Sequence, residues 1–242
     1  MESRGTMETR GHEVTRRAAV SAGVGATVAG AAVAASATAQ AAGRPVVVLG
    51  SRGPSVTYAQ QRLNALGYWC GTPDGMFGHL TQQAVWALEK SAGARRSGRL
   101  DLSGWGLLER GVKPRPRSTS GTVIEVDLTK QILMVIGSGR LVYTLNTSTG
   151  SGERYYSKGT WKTAWTPTGS YSIYYRWPSG WQVGSLGAMW RPTYWRESWA
   201  IHGSTSIPPY PASHGCCRVS TAAQDMLWAG SWVNLGRKVW VY

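Results

Sequence analysis

The chain has 242 residues, 42% hydrophobic and 16% charged, a composition that supports a buried core and excludes a disordered or fibrous protein. Three cysteines are too few for a disulfide-framed scaffold, and the length suits one large or two modest domains. A formal net charge of +14 calls for a polyanionic surrounding: nucleic acid, a membrane surface or an anionic cell wall.

The N-terminus narrows that choice. Arg16 and Arg17 precede a stretch of small apolar residues from Ala18 to Ala35, followed by Ala37, Ala39 and Ala41 as small residues suited to cleavage. Residues 1–41 read as an export signal, with Thr15-Arg16-Arg17 giving it a twin-arginine character that Ala19 weakens. An uncleaved anchor is the alternative, although the stretch is built of Ala, Gly, Ser and Thr with almost no Leu, Ile or Phe. The arginines and glutamates lost with the signal nearly balance, so the mature chain stays strongly basic. A basic exported protein meets anionic wall polymers rather than nucleic acid, for which no recognition motif is present.

Residues 49–111 carry short helical patterns. Val56, Ala59, Leu63 and Leu66 recur at spacings of three and four, which places them on one face of a helix closed by Gly67. Thr81 is placed to cap a second helix through Ala84, Val85 and Leu88, and Ser103 to cap a third through Leu107 and Leu108. A small all-α domain of three helices is expected. Its run of Leu49, Gly53, Val56, Gln60, Leu63, Gly67-Tyr68, Asp74-Gly75, Phe77-Gly78, Thr81 and Ala84-Val85 resembles the peptidoglycan-binding domain 1 type. That resemblance implies glycan strands or stem peptides as partners, with a helical spacer lacking any ligand as the alternative reading. Residues 112–121 combine three basic side chains with two prolines and no acid, which reads as an extended, solvated interdomain linker.

From residue 122 the period changes to two. Ile124, Val126 and Leu128 alternate with Glu125 and Asp127. Residues 132–136, the turn at Gly137-Ser138-Gly139 and residues 141–143 read as strand, turn, strand. Further strands are expected over residues 171–175 and 239–242, with one helix over residues 222–228. Residues 122–242 should therefore form a mainly β domain, a sandwich or barrel. The aromatic-rich segment from Trp177 to Trp199 shows no clear period. Irregular segments of that length often wall a site, although for any one of these rings the core is the better reading.

Two of the four histidines and two of the three cysteines fall within residues 202–217. A cysteine nucleophile needs an imidazole to take its proton, and both residue types are present here. Other readings compete. A zinc site from His202, His214, Cys216 and Cys217 lacks the usual Cys spacing. A vicinal Cys216–Cys217 disulfide is strained, and one from Cys70 has to cross between domains. On a strand, residues 216 and 217 point to opposite faces, so one thiol can face a site while the other fills the core.

The run His202-Gly203 followed by Ser213-His214-Gly215-Cys216-Cys217-Arg218 resembles the signature of the L,D-transpeptidase catalytic domain, called YkuD-like. Supporting segments are residues 124–128, Gln131 with Ile132 and Leu133, Ser148-Thr149-Gly150, and Thr166-Pro167-Thr168-Gly169. Cys217 departs from the family, which usually carries Val or Ile there. The resemblance implies a YkuD-like β-sandwich with Cys216 as nucleophile and His202 as general base, the Gly203 carbonyl holding the imidazole tautomer. His214 takes an auxiliary role, and the Gly215 and Cys216 N–H groups form an oxyanion hole. Arg218 binds a substrate carboxylate, with a structural salt bridge as the alternative, and Ser213 belongs to the substrate loop. By position, the segment from Trp177 to Trp199 corresponds to a flap over the donor channel, with Tyr194 or Trp195 lining it as substrate-binding residues. No metal or organic cofactor is implied. The implied reaction cross-links peptidoglycan stem peptides through a thioester with release of D-Ala. An L,D-carboxypeptidase using water, or an inactive wall-binding protein, are the alternatives.

Overall fold

The computed structural model describes residues 43–242. The export-signal reading of residues 1–41 lies outside the described residues. Among the described residues no helix is long and apolar enough to cross a membrane.

The helical domain contains α1 (Pro54–Ala65), α2 (His79–Ser91) and α3 (Leu102–Glu109). Pro54 supplies a preset φ at the first turn of α1, and Gly67 at φ +90° turns the chain away after it. Val56, Ala59 and Leu63 are fully buried, as their spacing predicts, against Val85, Leu88, Leu100, Trp105 and Leu108. Two expected caps differ. Helix α2 begins at His79 behind Gly78, and Thr81 is instead buried, its hydroxyl accepting from Gln60 Nε2 at 3.0 Å. Helix α3 is capped by Asp101, whose carboxylate accepts from the Gly104 N–H at 3.1 Å, two residues before Ser103. Gln60 ties the loop after α1 to the core: its Oε1 accepts from the Asp74 and Gly75 N–H groups, and its Nε2 donates to Asp74 and the Met76 carbonyl.

The mainly β domain is built of two five-stranded sheets, a separate two-stranded hairpin and one helix. The first sheet runs in the order β3 (Arg140–Asn146), β2 (Ile132–Gly137), β1 (Val123–Asp127), β12 (Lys238–Val241) and β6 (Gly169–Ser172). Only its β1–β12 pair is parallel. The second runs β11 (Cys217–Ser220), β10 (Trp199–Ser204), β9 (Gly187–Arg196) and β7 (Tyr175–Arg176), with β8 (Trp181–Gly184) also paired to β9. A separate hairpin joins β4 (Arg154–Ser157) to β5 (Thr160–Thr163). Helix α4 (Thr221–Ala229) packs on β9, β10 and β11, its Ser220 hydroxyl capping the Ala223 N–H. Ile124, Val126, Leu133, Val135, Val239 and Val241 of the first sheet meet Trp195, Ile201, Cys217 and Val219 of the second across one core. This is the expected sandwich. The aperiodic segment 177–199 is in fact ordered as the β8–β9 hairpin, its alternation masked because rings occupy both faces.

The segment 112–121 is extended but anchored rather than a solvated spacer. Pro114 is buried, the Val112 carbonyl accepts from Tyr68 OH at 3.0 Å, and the Arg117 guanidinium lies 3.5 Å over the Tyr242 ring. The reason is Glu125, fully buried on β1. Its carboxylate accepts from the Arg117 and Ser118 N–H groups and from Tyr242 OH, so the segment satisfies a charge that would otherwise be stranded.

The two domains pack directly. Gly67 O accepts from the Thr144 N–H at 2.8 Å, and Tyr68 bridges Thr144, which covers the free edge of β3. A Cβ on Gly67 would lie 2.9 Å from the Val142 carbonyl oxygen, so this approach requires glycine. Lys90, at the end of α2, is 2% exposed and donates to the Gln131 and Thr147 carbonyls and to Asn146 Oδ1. Burial and then the Arg96 charge pull its pKa down toward about 6, but three oxygen acceptors match the three N–H bonds of the ammonium form and hold the group charged.

Candidate active site

The site grows from two parallel strands. β10 and β11 pair in register, with Ile201 beside Cys217 and His202 beside Arg218. Side chains alternate along each strand, so Ile201, Cys217 and Val219 enter the core together. His202 and Arg218 share the opposite face, and Cys216 enters it one residue before β11. Cys217 is fully buried, whereas Cys216 is partly exposed, and both thiols are free. Opposed faces also prevent the two sulfurs from ligating one ion, and the described residues contain no cluster of three or more metal-donor side chains.

His202 is 4% exposed. Its Nδ1 lies 2.9 Å from the carbonyl oxygen of Gly203, so Nδ1 carries the hydrogen and Nε2 keeps its lone pair. Burial lowers its pKa to about 4, with Gly203 raising it and the Arg218 charge lowering it further. The imidazole is therefore neutral at neutral pH, the form a base requires. A register shift in the β9–β10 pair falls at this residue, between Ile201 and Gly203, and Arg191 on β9 takes φ +44° there. Such bulges redirect a side chain out of the regular pleat. Gly203 itself allows α4 to start close by, since a Cβ there would sit 2.8 Å from Thr221 Cα.

The Cys216 thiol lies 3.5 Å from the Ser198 carbonyl oxygen. Burial raises its pKa, while the Ala200 N–H and then the Arg218 charge lower it. The balance of these influences raises the Cys216 pKa, which favours its thiol form, and His202 on the same face is neutral. The turn into Cys216 is closely held. Ser213 Oγ donates to the Cys216 carbonyl at 2.6 Å and accepts from the Gly215 N–H at 3.0 Å. The Gly215 N–H expected in an oxyanion hole is therefore engaged by Ser213 in this state. The Gly215 carbonyl accepts from Thr166 Oγ1 at 2.7 Å, and Thr166 accepts from the Gly150 N–H, which explains the Thr166 and Gly150 segments seen in the sequence. Gly215 sits at φ +138°, and an added Cβ would lie 2.7 Å from both the Trp165 carbonyl oxygen and Trp199 Nε1. Gly215→Ala should therefore displace the turn, lowering the thermal midpoint and reducing turnover by at least about tenfold. Thermal denaturation and rate measurements on the same preparation check this.

The other expected residues fall in different places. Arg218 is partly buried beside Cys216, and among the described residues its guanidinium makes no salt bridge. Its backbone exchanges hydrogen bonds with Ser148. His214 is exposed and meets the edge of Tyr155 at 4.7 Å, on the β4–β5 hairpin. Tyr194 stacks on Tyr175 and donates to Gln182 at 2.6 Å; burial first and then the Cys216 charge raise its pKa to about 12. Trp195 does not line the site. Alternation on β9 turns it into the sandwich core, 4.8 Å from the Tyr171 ring. The sequence reading missed Trp165 and did not single out Trp199 within its aromatic segment; the two rings pack edge to face at 5.7 Å, with Trp199 Nε1 donating to the Trp165 carbonyl. Only the glycine at residue 215 hinted that something large pressed on the turn.

The family model of the L,D-transpeptidase catalytic domain, YkuD, matches residues 121–241, and that of the putative peptidoglycan binding domain matches residues 52–108. The L,D-transpeptidase of Xylanimonas cellulosilytica is 46% identical, with 82% of this chain and 98% of that chain covered at a TM-score of 0.79. This chain belongs to the YkuD family of L,D-transpeptidases. The L,D-transpeptidase from Stackebrandtia nassauensis aligns at 18% identity over 81% of this chain and 94% of its own, with a TM-score of 0.47. No curated protein sequence gives a significant match. The 82% coverage extends past the YkuD domain into the helical one.

Proposed function

We propose that this YkuD protein is an exported L,D-transpeptidase that joins peptidoglycan stem peptides through a Cys216 thioester. The observation that carries the reading is the strand register: it gathers Cys216, a neutral His202 of fixed tautomer and Arg218, which has no ion-pair partner among the described residues, on one face, with Cys217 turned away.

Cys216 Sγ attacks the carbonyl between the third and fourth residues of a donor stem as His202 Nε2 takes the thiol proton. The Cys216 N–H faces the developing oxyanion, and Arg218 pairs with a carboxylate of the stem. The tetrahedral adduct collapses, the C–N bond breaks, and His202 returns the proton to the departing D-Ala amine. An amine of a second stem then attacks the thioester, His202 takes its proton, and the thiol is regenerated. One base serves both halves of the cycle because its pKa keeps it unprotonated between them. The helical domain holds the enzyme on peptidoglycan, and the positive charge of the chain favours anionic wall polymers nearby.

Mass analysis of purified tetrapeptide-stem muropeptides after incubation with the enzyme tests this. A dimer that has lost one D-Ala is expected. Tripeptide without dimer would replace the transpeptidase by a carboxypeptidase, and no change at all would favour an inactive wall-binding protein.

A further inference from the structure

The turn that carries Cys216 is held at both feet by one short segment. Ala212 and Ser213 donate their N–H groups to the Thr149 carbonyl at 3.0 and 2.9 Å, and the Arg218 N–H donates to the Ser148 carbonyl at 3.0 Å. Thr147 Oγ1 adds a bond to the Arg218 carbonyl at 2.8 Å. The position of residues 147–149 therefore sets the position of the nucleophile.

That segment is in turn fixed from the helical domain. Lys90 Nζ donates to the Thr147 carbonyl at 3.0 Å, to the Gln131 carbonyl at 2.8 Å and to Asn146 Oδ1. Gln131 grips Thr149 by two bonds, from its Nε2 to Thr149 Oγ1 and from the Thr149 N–H to its Oε1. Two turns earlier on α2, Gln83 Oε1 accepts from Asn146 Nδ2 at 2.6 Å, and Gln83 Nε2 donates to the Ile207 carbonyl at 3.2 Å. Asn146 reaches the same carbonyl at 3.1 Å, and Arg96 donates to the Pro209 carbonyl at 2.6 Å. The loop between His202 and Cys216 is thus pinned from the helical side as well. Lys90 has no acidic partner among the described residues, so its three oxygen contacts are what its buried nitrogen has in place of water.

We infer that the helical domain is part of the catalytic apparatus, with Lys90 as a positioning residue that acts through residues 146–149 to align Cys216 with His202. The inference rests on Cys216 being the nucleophile. It goes beyond a wall anchor, because an anchor needs only a tether, whereas these contacts fix the register of the catalytic turn.

Lys90→Met keeps an unbranched side chain one atom shorter, leaves the Thr147 carbonyl and Asn146 Oδ1 without this donor, and leaves the Gln131 carbonyl with the Thr147 N–H alone. Gln83→Met is the milder companion, removing the Ile207 and Asn146 contacts, and decides the matter if Lys90→Met does not fold. Both variants should lower kcat by about tenfold or more with KM within about twofold. Both should also slow iodoacetamide alkylation of Cys216 severalfold at a temperature well below the thermal midpoint. A fall in the midpoint with kcat and alkylation at wild-type values would overturn the inference, as would faster alkylation, which signals a loosened turn with no loss of alignment by His202. Alkylation needs no substrate. Slowed alkylation in an enzyme that processes no stem peptide would uphold Lys90 while rejecting the proposed reaction.

Discussion

Cys216→Ala should abolish stem-peptide processing, a loss of about 10⁴-fold or more, while leaving the thermal midpoint nearly unchanged. The adjacent thiol should behave in the opposite way. Cys217 is fully buried among Ile201, Val219 and the first sheet, and burial drives its pKa far up, so it presents no nucleophile. Cys217→Ser places a hydroxyl without a partner in that core, which should cost about 1–3 kcal/mol of stability with turnover retained. Parallel rate and thermal measurements on the two variants separate the roles. A Cys216→Ala protein that still forms product would make the face assignment wrong.

His202→Asn should lower kcat by about 10²–10⁴-fold, because an amide cannot take the thiol proton. The pH dependence of stability gives an independent reading. His202 has a pKa of about 4 in the folded chain against 6.5 as its ordinary value, so between those values the unfolded chain binds the extra proton. Stability is then complete above pH 6.5 and falls as the pH drops toward 4, by about 3 kcal/mol from this group. His79 and His214 are also shifted down by burial and act in the same direction. The contribution of His202 is therefore the difference in slope between wild type and His202→Asn in denaturant titrations at pH 4.5 and 7. Equal slopes would show that the imidazole is not held neutral by burial. The raised Cys216 pKa adds that its alkylation rate should keep rising above pH 9, rather than level off near neutrality as for a preformed thiolate–imidazolium pair.

The sequence was most legible where one spacing has one structural meaning. Val56, Ala59 and Leu63 define the buried face of α1, and the alternation around Ile124 and Val126 defines β1. The opposite faces of Cys216 and Cys217 follow from strand geometry alone. Caps were less legible, since Asp101 and Ser103 both suit an N-cap and only the backbone turn selects between them. The β8–β9 hairpin escaped notice because Trp190, Tyr194 and Trp195 put rings on both sides of one strand. The domain interface was not legible at all. Lys90, Gln83 and Asn146 look like polar surface residues in their own segments and become buried only when the domains meet. Glu125 belongs to the same class: its burial is tolerable only because the chain from Arg117 to Ser118 returns to it.

Cys216 is tested as the acylated residue by the mass of the intact protein shortly after mixing with a tetrapeptide stem, followed by fragmentation of the peptide that ends at Arg218. A covalent adduct equal to the tripeptide acyl group, attached at Cys216 and absent from Cys217, is the predicted result. An adduct on Cys217, or product formed by a protein whose Cys216 is replaced, would contradict it.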